Sequence, residues 1–92
     1  MKPEAIPHPN NEFSLEEIDD ELLLYHPAKT KAVYLNETAA LVWQLCDSKR
    51  SVSEIIQLLE ENYPDSDHSI QADVENTLHQ LASNGAVEIE QS

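Results

Sequence analysis

Four histidines, one cysteine and eighteen carboxylates are the side chains of this chain best suited to chemistry. Histidine and cysteine hold metals when several converge, usually with two at short spacing on one element. His8, His26, His68 and His79 share no i,i+3 or i,i+4 spacing, and Cys46 has no C-x-x-C partner. A structural zinc site is not expected. Asp65-Ser66-Asp67-His68-Ser69 opens like a calcium loop, yet Ile70 stands where that loop needs glycine and Asn76 where it needs glutamate. The stretch reads instead as a solvated connector that caps a helix. Asp19-Asp20-Glu21 and Glu60-Glu61 read as solvated surface in an acidic chain. Cys46 falls among apolar residues and reads as a small core residue rather than a nucleophile. With no activated nucleophile, cofactor loop or metal cluster, no catalytic assembly can be built. The chain is not expected to be an enzyme or to carry a cofactor.

Two aromatic residues are candidates for binding instead. Trp43, on a predicted helix, is either a core anchor or a partner-facing aromatic, and the core reading is preferred. Tyr34 lies on the strand face opposite Val33 and Leu35. It either covers surface or touches something laid beside the strand.

The elements that must position these residues follow from periodicity. Lys31–Leu35 alternates Val33 and Leu35 against Ala32 and Tyr34, the period of a strand. Asn36 then stands where a helix N-cap belongs, with Glu37 in the first turn. From Ala39 the apolar residues take helical spacing through Val42, Leu45 and Cys46. This strand-to-helix joint is the centre of the chain. Before it, residues 12–18 form a weak strand, Asp19-Asp20 a tight turn, and residues 21–25 a second strand rich in leucine. After the first helix, at residues 37–47, Ser51-Val52-Ser53-Glu54 is a complete capping box. It starts a helix that Pro64 stops. Ile70, Val74, Leu78 and Leu81 make the stripe of a third helix, closed by Asn84-Gly85. Residues 86–90 add a short extended piece. Residues 1–11, with Pro3, Pro7 and Pro9, read as a disordered tail ahead of one domain over 12–92. The expected fold is α+β: a three-stranded antiparallel sheet followed by three helices.

Composition narrows the function. Ninety-two residues make one domain with a modest core. Eighteen acids against five bases give a formal charge of −13, a field that repels nucleic acid. The single glycine argues against a phosphate-binding loop. No apolar run is long enough to span a membrane and none follows a basic stretch like a signal peptide, so the cytoplasm is the expected compartment. Lys29, Lys31, Lys49 and Arg50 are four of the five bases, gathered around the third strand and after the first helix. They either relieve local repulsion or, at Lys29 and Lys31, attract carboxylates on a bound peptide.

The stretches Leu22-Leu23-Leu24-Tyr25 and Ala32-Val33-Tyr34-Leu35-Asn36-Glu37-Thr38-Ala39-Ala40 through Asp47 resemble the coenzyme PQQ synthesis protein D family. So do Ser51 to Ile56, Ala72-Asp73-Val74 and Leu78 to Gly85. The resemblance covers about residues 20 to 90. One departure is Lys49-Arg50, in a turn where the family usually has glycine. The resemblance implies a winged-helix-like peptide-recognition domain. It implies that the leader of a ribosomally made precursor peptide adds a strand along Lys31, Ala32, Val33, Tyr34 and Leu35. The third helix would form the far wall through Asp73, Val74, Thr77, Leu78 and Leu81. The bound peptide would be presented to a modifying enzyme, in the founding pathway a radical S-adenosylmethionine enzyme whose iron–sulfur clusters are its own. An unpaired edge offers donors and acceptors to an extended peptide without any catalytic residue. Two other readings remain: a winged-helix DNA regulator, opposed by a third helix without lysine or arginine, and a structural subunit that dimerises through its edge strand.

Overall fold

The computed structural model describes residues 1–64 and 69–90. The elements in chain order are β1 (Ile6–Pro9), β2 (Ser14–Ile18), β3 (Glu21–His26), β4 (Lys31–Leu35), α1 (Glu37–Leu45), α2 (Val52–Asn62), α3 (Ile70–Ser83) and β5 (Val87–Glu90). The connector read as a rejected calcium loop falls mostly at residues 65–68, outside the described residues.

β2, β3 and β4 form an antiparallel sheet in that order, with β3 central. Leu24 pairs with Val33 and Leu22 with Leu35, which sets these side chains on one face. That face meets the helices: Leu24, Val33 and Leu35 share one buried cluster with Ala39, Ala40 and Val42 of α1, Ile55 and Leu59 of α2, and Val74, Leu78 and Leu81 of α3. The predicted three strands and three helices are all present. Trp43 is half-buried against this cluster, so it is a peripheral core residue.

Local chemistry sets each joint. The Asn36 side chain accepts from the Ala39 N–H at 2.7 Å, turning β4 into α1. The capping box of α2 closes through Ser51 and Glu54 in both directions. At the far end of α3, Gly85 takes φ +78°. There Gly85 N–H donates to Ala82 O and Ala86 N–H to Leu81 O, the paired bonds of a Schellman ending. α1 stops at Leu45, two residues short of the expected end. The Asp47 carboxylate draws the chain into a turn by accepting from Lys49 N–H at 2.9 Å and Arg50 N–H at 2.8 Å. Those backbone donors, that of Arg50 first, hold the Asp47 carboxyl below its ordinary range. Ser48 carries the left-handed backbone here (φ 66°), a conformation that glycine adopts without steric cost.

Residues 1–11 are the main correction. They are not a disordered tail: Ile6–Pro9 pairs antiparallel with Val87–Glu90, making a second, two-stranded sheet. Asn10 N–H donates to Ala86 O at 2.7 Å. Antiparallel bonds alternate along a ladder, so His8 and Ile6 carry the next ones, and Pro7 and Pro9 turn their missing donors away from β5. The segment ahead of β1 also serves α2. Val52 N–H donates to Ala5 O at 2.8 Å and Ser53 N–H to Pro3 O at 2.9 Å, meeting two of the donors that a helix start leaves open. Ala5 and Pro7 are completely buried.

Removing residues 1–9 should therefore cost at least about 2–4 kcal/mol, from the two hydrogen bonds to α2, the ladder bonds of Ile6 and His8 to β5 and the exposed apolar contacts. Urea unfolding of the truncated and full chains measures this. Equal midpoints would show that the segment contributes nothing.

Candidate functional site

β2 and β4 are the two edges of the three-stranded sheet. The direction of each backbone group on β4 follows from the turn at the other end of the sheet. Asp19 and Asp20 both have positive φ, at 52° and 66°, as in a two-residue primed turn. Such a turn is closed by a hydrogen-bonded pair, here Ile18 and Glu21. Counting alternately from that pair, Leu22, Leu24 and His26 face β4, where their partners are Leu35, Val33 and Lys31. The N–H and C=O groups of Ala32 and Tyr34 consequently point away from β3, to the open side. Both residues are exposed, Tyr34 to 64%.

The start of β4 is held by the short 3-10 turn Pro27–Lys29. The buried His26 ring caps that turn, its Nδ1 accepting from Lys29 N–H at 3.3 Å. Its Nε2 then carries the proton and donates to the Glu12 carboxylate at 3.1 Å. Phe13 packs edge-on against the ring at 4.9 Å between centroids.

α3 runs beside β4 in the opposite direction. Lys31 Nζ donates to Asn84 O at 3.0 Å, joining the beginning of β4 to the end of α3. At the other end, a hollow of about 430 Å³ opens between the β4–α1 joint and the first turns of α3. Asn36 and Thr38 line one side and Asp73, Asn76, Thr77 and Gln80 the other.

The expected site residues therefore divide. Ala32 and Tyr34 offer free backbone at the edge. Val33 and Leu35 are buried and hold β4 to the core. Asp73 and Thr77 are half-exposed and line the hollow. Val74, Leu78 and Leu81 are completely buried and support the wall from behind. An apolar stripe does not tell a groove wall from a core contact, and here the core takes it. Asn36, Asn76 and Gln80 were not among the expected residues, since a lone polar residue on a helix carries no signal of its own. Lys31 neutralises the carbonyl end of α3 rather than standing free for a ligand, and Lys29 remains exposed.

No thiol lines this groove. Cys46 is buried, donates its thiol to Val42 O at 3.2 Å, and is pushed up to about 12 by burial and then by the nearby Asp47 charge. Among the described residues no three His, Cys, Asp or Glu side chains come close enough to share a metal ion, and no helix is long and apolar enough to cross a membrane.

Such a frame defines a class: a small α+β domain with an open sheet edge facing a helix across a polar groove. Within that class, the chain belongs to the family of coenzyme PQQ synthesis protein D (PqqD), whose model matches residues 21–87. A PqqA binding protein of Methylococcus capsulatus (strain Bath) is 33% identical over 70 residues, spanning 76% of this chain and 71% of that protein. The PqqD part of Methylobacterium extorquens PqqCD, a stand-alone recognition element for ribosomally synthesised, post-translationally modified peptides, is 26% identical. It superposes with a TM-score of 0.70 over 96% of this chain and 99% of that one. A lasso peptide synthetase B1 complexed with its leader peptide shares the fold at a TM-score of 0.71, with 23% identity over 89% of this chain and 96% of that one.

The native Cys46 thiol should resist iodoacetamide near pH 8 and react once the chain is unfolded in urea, because only the thiolate attacks. Mass spectrometry before and after denaturation reads this. Rapid alkylation of the folded protein would refute the burial.

Proposed function

We propose that this protein is a non-catalytic recognition module. It binds the leader of a ribosomally made precursor peptide as an added strand on β4 and presents it to a peptide-modifying enzyme. The observation that carries the reading is the free backbone of Ala32 and Tyr34 beside the groove against α3. The two solved relatives described as a recognition element and as a leader-bound protein support it. In this reading the peptide pairs with β4 and lays alternate side chains toward Asp73, Thr77 and Gln80. Backbone pairing supplies affinity, and the amide and hydroxyl lining selects among sequences. Radical S-adenosylmethionine chemistry, where the pathway uses it, belongs to the enzyme partner.

Charge opposes the DNA-binding alternative. α3 carries Asp73 and Glu75 and no lysine or arginine, whereas a helix that reads the major groove uses basic residues. Dimerisation through β4 would compete with the peptide for the same backbone groups.

Proline tests the edge directly. Tyr34→Pro removes a donor aimed at the open side and should leave the circular dichroism spectrum unchanged while weakening leader binding about tenfold or more. Val33→Pro removes a donor aimed at β3 and should unfold the sheet. Calorimetry with a leader from a neighbouring short precursor gene supplies the affinities. A folded Tyr34→Pro variant with wild-type affinity would place the peptide elsewhere.

Duplex DNA should show no measurable binding at physiological salt. A salt-sensitive, micromolar mobility shift would overturn the module reading in favour of a regulator.

A further inference from the structure

The three-stranded sheet has a second face, turned away from the helices. Side chains alternate along a strand, so this face carries Glu16 and Ile18 of β2, Leu23 and Tyr25 of β3, and Ala32 and Tyr34 of β4. No element among the described residues covers it. Ile18 and Tyr34 are 56% and 64% exposed, two of the three large hydrophobic side chains so exposed among the described residues. Leu23 is only 6% exposed, yet it lies outside the core cluster. It sits between Glu16 and Tyr34 in the register, so Ile18 and Tyr34 are the apolar side chains that this face presents.

The rim of this face has one sign. Residues 14–26 hold Glu16, Glu17, Asp19, Asp20 and Glu21 and no lysine or arginine. At the Leu35 end of β4 a hollow of about 920 Å³ lies at the end of the sheet, lined by Glu21 and Tyr34 from this face, Glu17 and Leu22 from the other, and Asp20 and Glu37 from the adjoining turn and helix. β2 lies outside the span that the family model matches.

We propose that this bare face docks a second protein, and that the partner presents lysine or arginine around an aliphatic or aromatic side chain. Taking that partner to be the peptide-modifying enzyme rests on the function proposed above. Three arguments select it. An apolar patch ringed by carboxylates is complementary to a basic surface with an apolar centre. A second copy of this chain is opposed, because stacking this face on itself sets the same acids against one another in a chain of net charge −13. The geometry also leaves room for the peptide: backbone donors leave a strand in the plane of the sheet, whereas side chains leave it along the normal. Tyr34 can offer its backbone to a peptide and its ring to a docked enzyme together, so the enzyme would border the leader strand of its substrate.

The test uses two surface variants, Glu16→Lys/Glu21→Lys and Ile18→Ser, both at exposed positions. Affinities are measured separately for the leader peptide and for the modifying enzyme encoded with it, at about 50 mM and about 500 mM salt. Each variant should bind the enzyme about tenfold or more weakly at low salt and bind the leader as wild type does. The loss in the charge variant should shrink at high salt, and that in Ile18→Ser should persist. Unchanged enzyme affinity in both variants overturns the proposal, as does a parallel loss of leader affinity. A wild-type protein that binds leader but not enzyme overturns the docking face and leaves the peptide reading standing. One that binds neither overturns both. Light scattering that shows a dimer broken by Ile18→Ser would make the occupant a second copy instead.

Discussion

The joint at Asn36 is the constraint on which the rest of the molecule depends. One side-chain hydrogen bond, to the Ala39 N–H, fixes the angle at which β4 becomes α1. A strand residue and a helix residue on either side of it, Leu35 and Ala39, enter the same buried cluster. The sheet therefore cannot rotate against the helical layer without breaking either the cap or the core. Asn36 also lines both hollows, one toward α3 and one toward the β2–β3 turn. The residue that sets the architecture thus stands where the two candidate binding regions meet.

Much of this was legible in the sequence because it rests on local signals. Strand alternation through Val33 and Leu35, the Asn36 cap, the Ser51–Glu54 box and the Gly85 ending each need only a few neighbouring residues. The pairing of β1 with β5 was not legible. Its partners lie at opposite ends of the chain, and Pro7 and Pro9 are ordinarily signs of disorder. Their spacing of two is what admits them, since both missing donors then face the same way. The site was half legible for a related reason. Periodicity finds the apolar stripe Val74, Leu78 and Leu81, but whether a stripe faces core or groove depends on what stands opposite. The tertiary fold places the core there, leaving Asp73, Asn76, Thr77 and Gln80 to shape the groove.

Three of the four edge strands, β1, β2 and β4, are managed differently. β1 turns prolines outward and so offers no donors at those positions. β2 surrounds its edge with carboxylates, which discourage another strand of like charge from pairing. β4 has neither device: Ala32 and Tyr34 are uncharged and keep their donors. An edge left open beside two that are blunted makes β4, rather than β1 or β2, the edge suited to strand addition.

The pairing of Ile6–Pro9 with Val87–Glu90 also has a consequence for the order of folding. The β2–β3–β4 meander joins neighbours a few residues apart and can form early, since closing short loops loses little chain entropy. The β1–β5 ladder spans nearly the whole chain and gains little until the helices have brought its strands together. It should therefore be the last sheet to form and, by the same reasoning, a separate cooperative unit of lower stability than the meander. The α2 N-terminus, whose Val52 and Ser53 donors are met by Ala5 and Pro3, would loosen with it. In this chain the two ends act as a latch that closes after the working edge has been built.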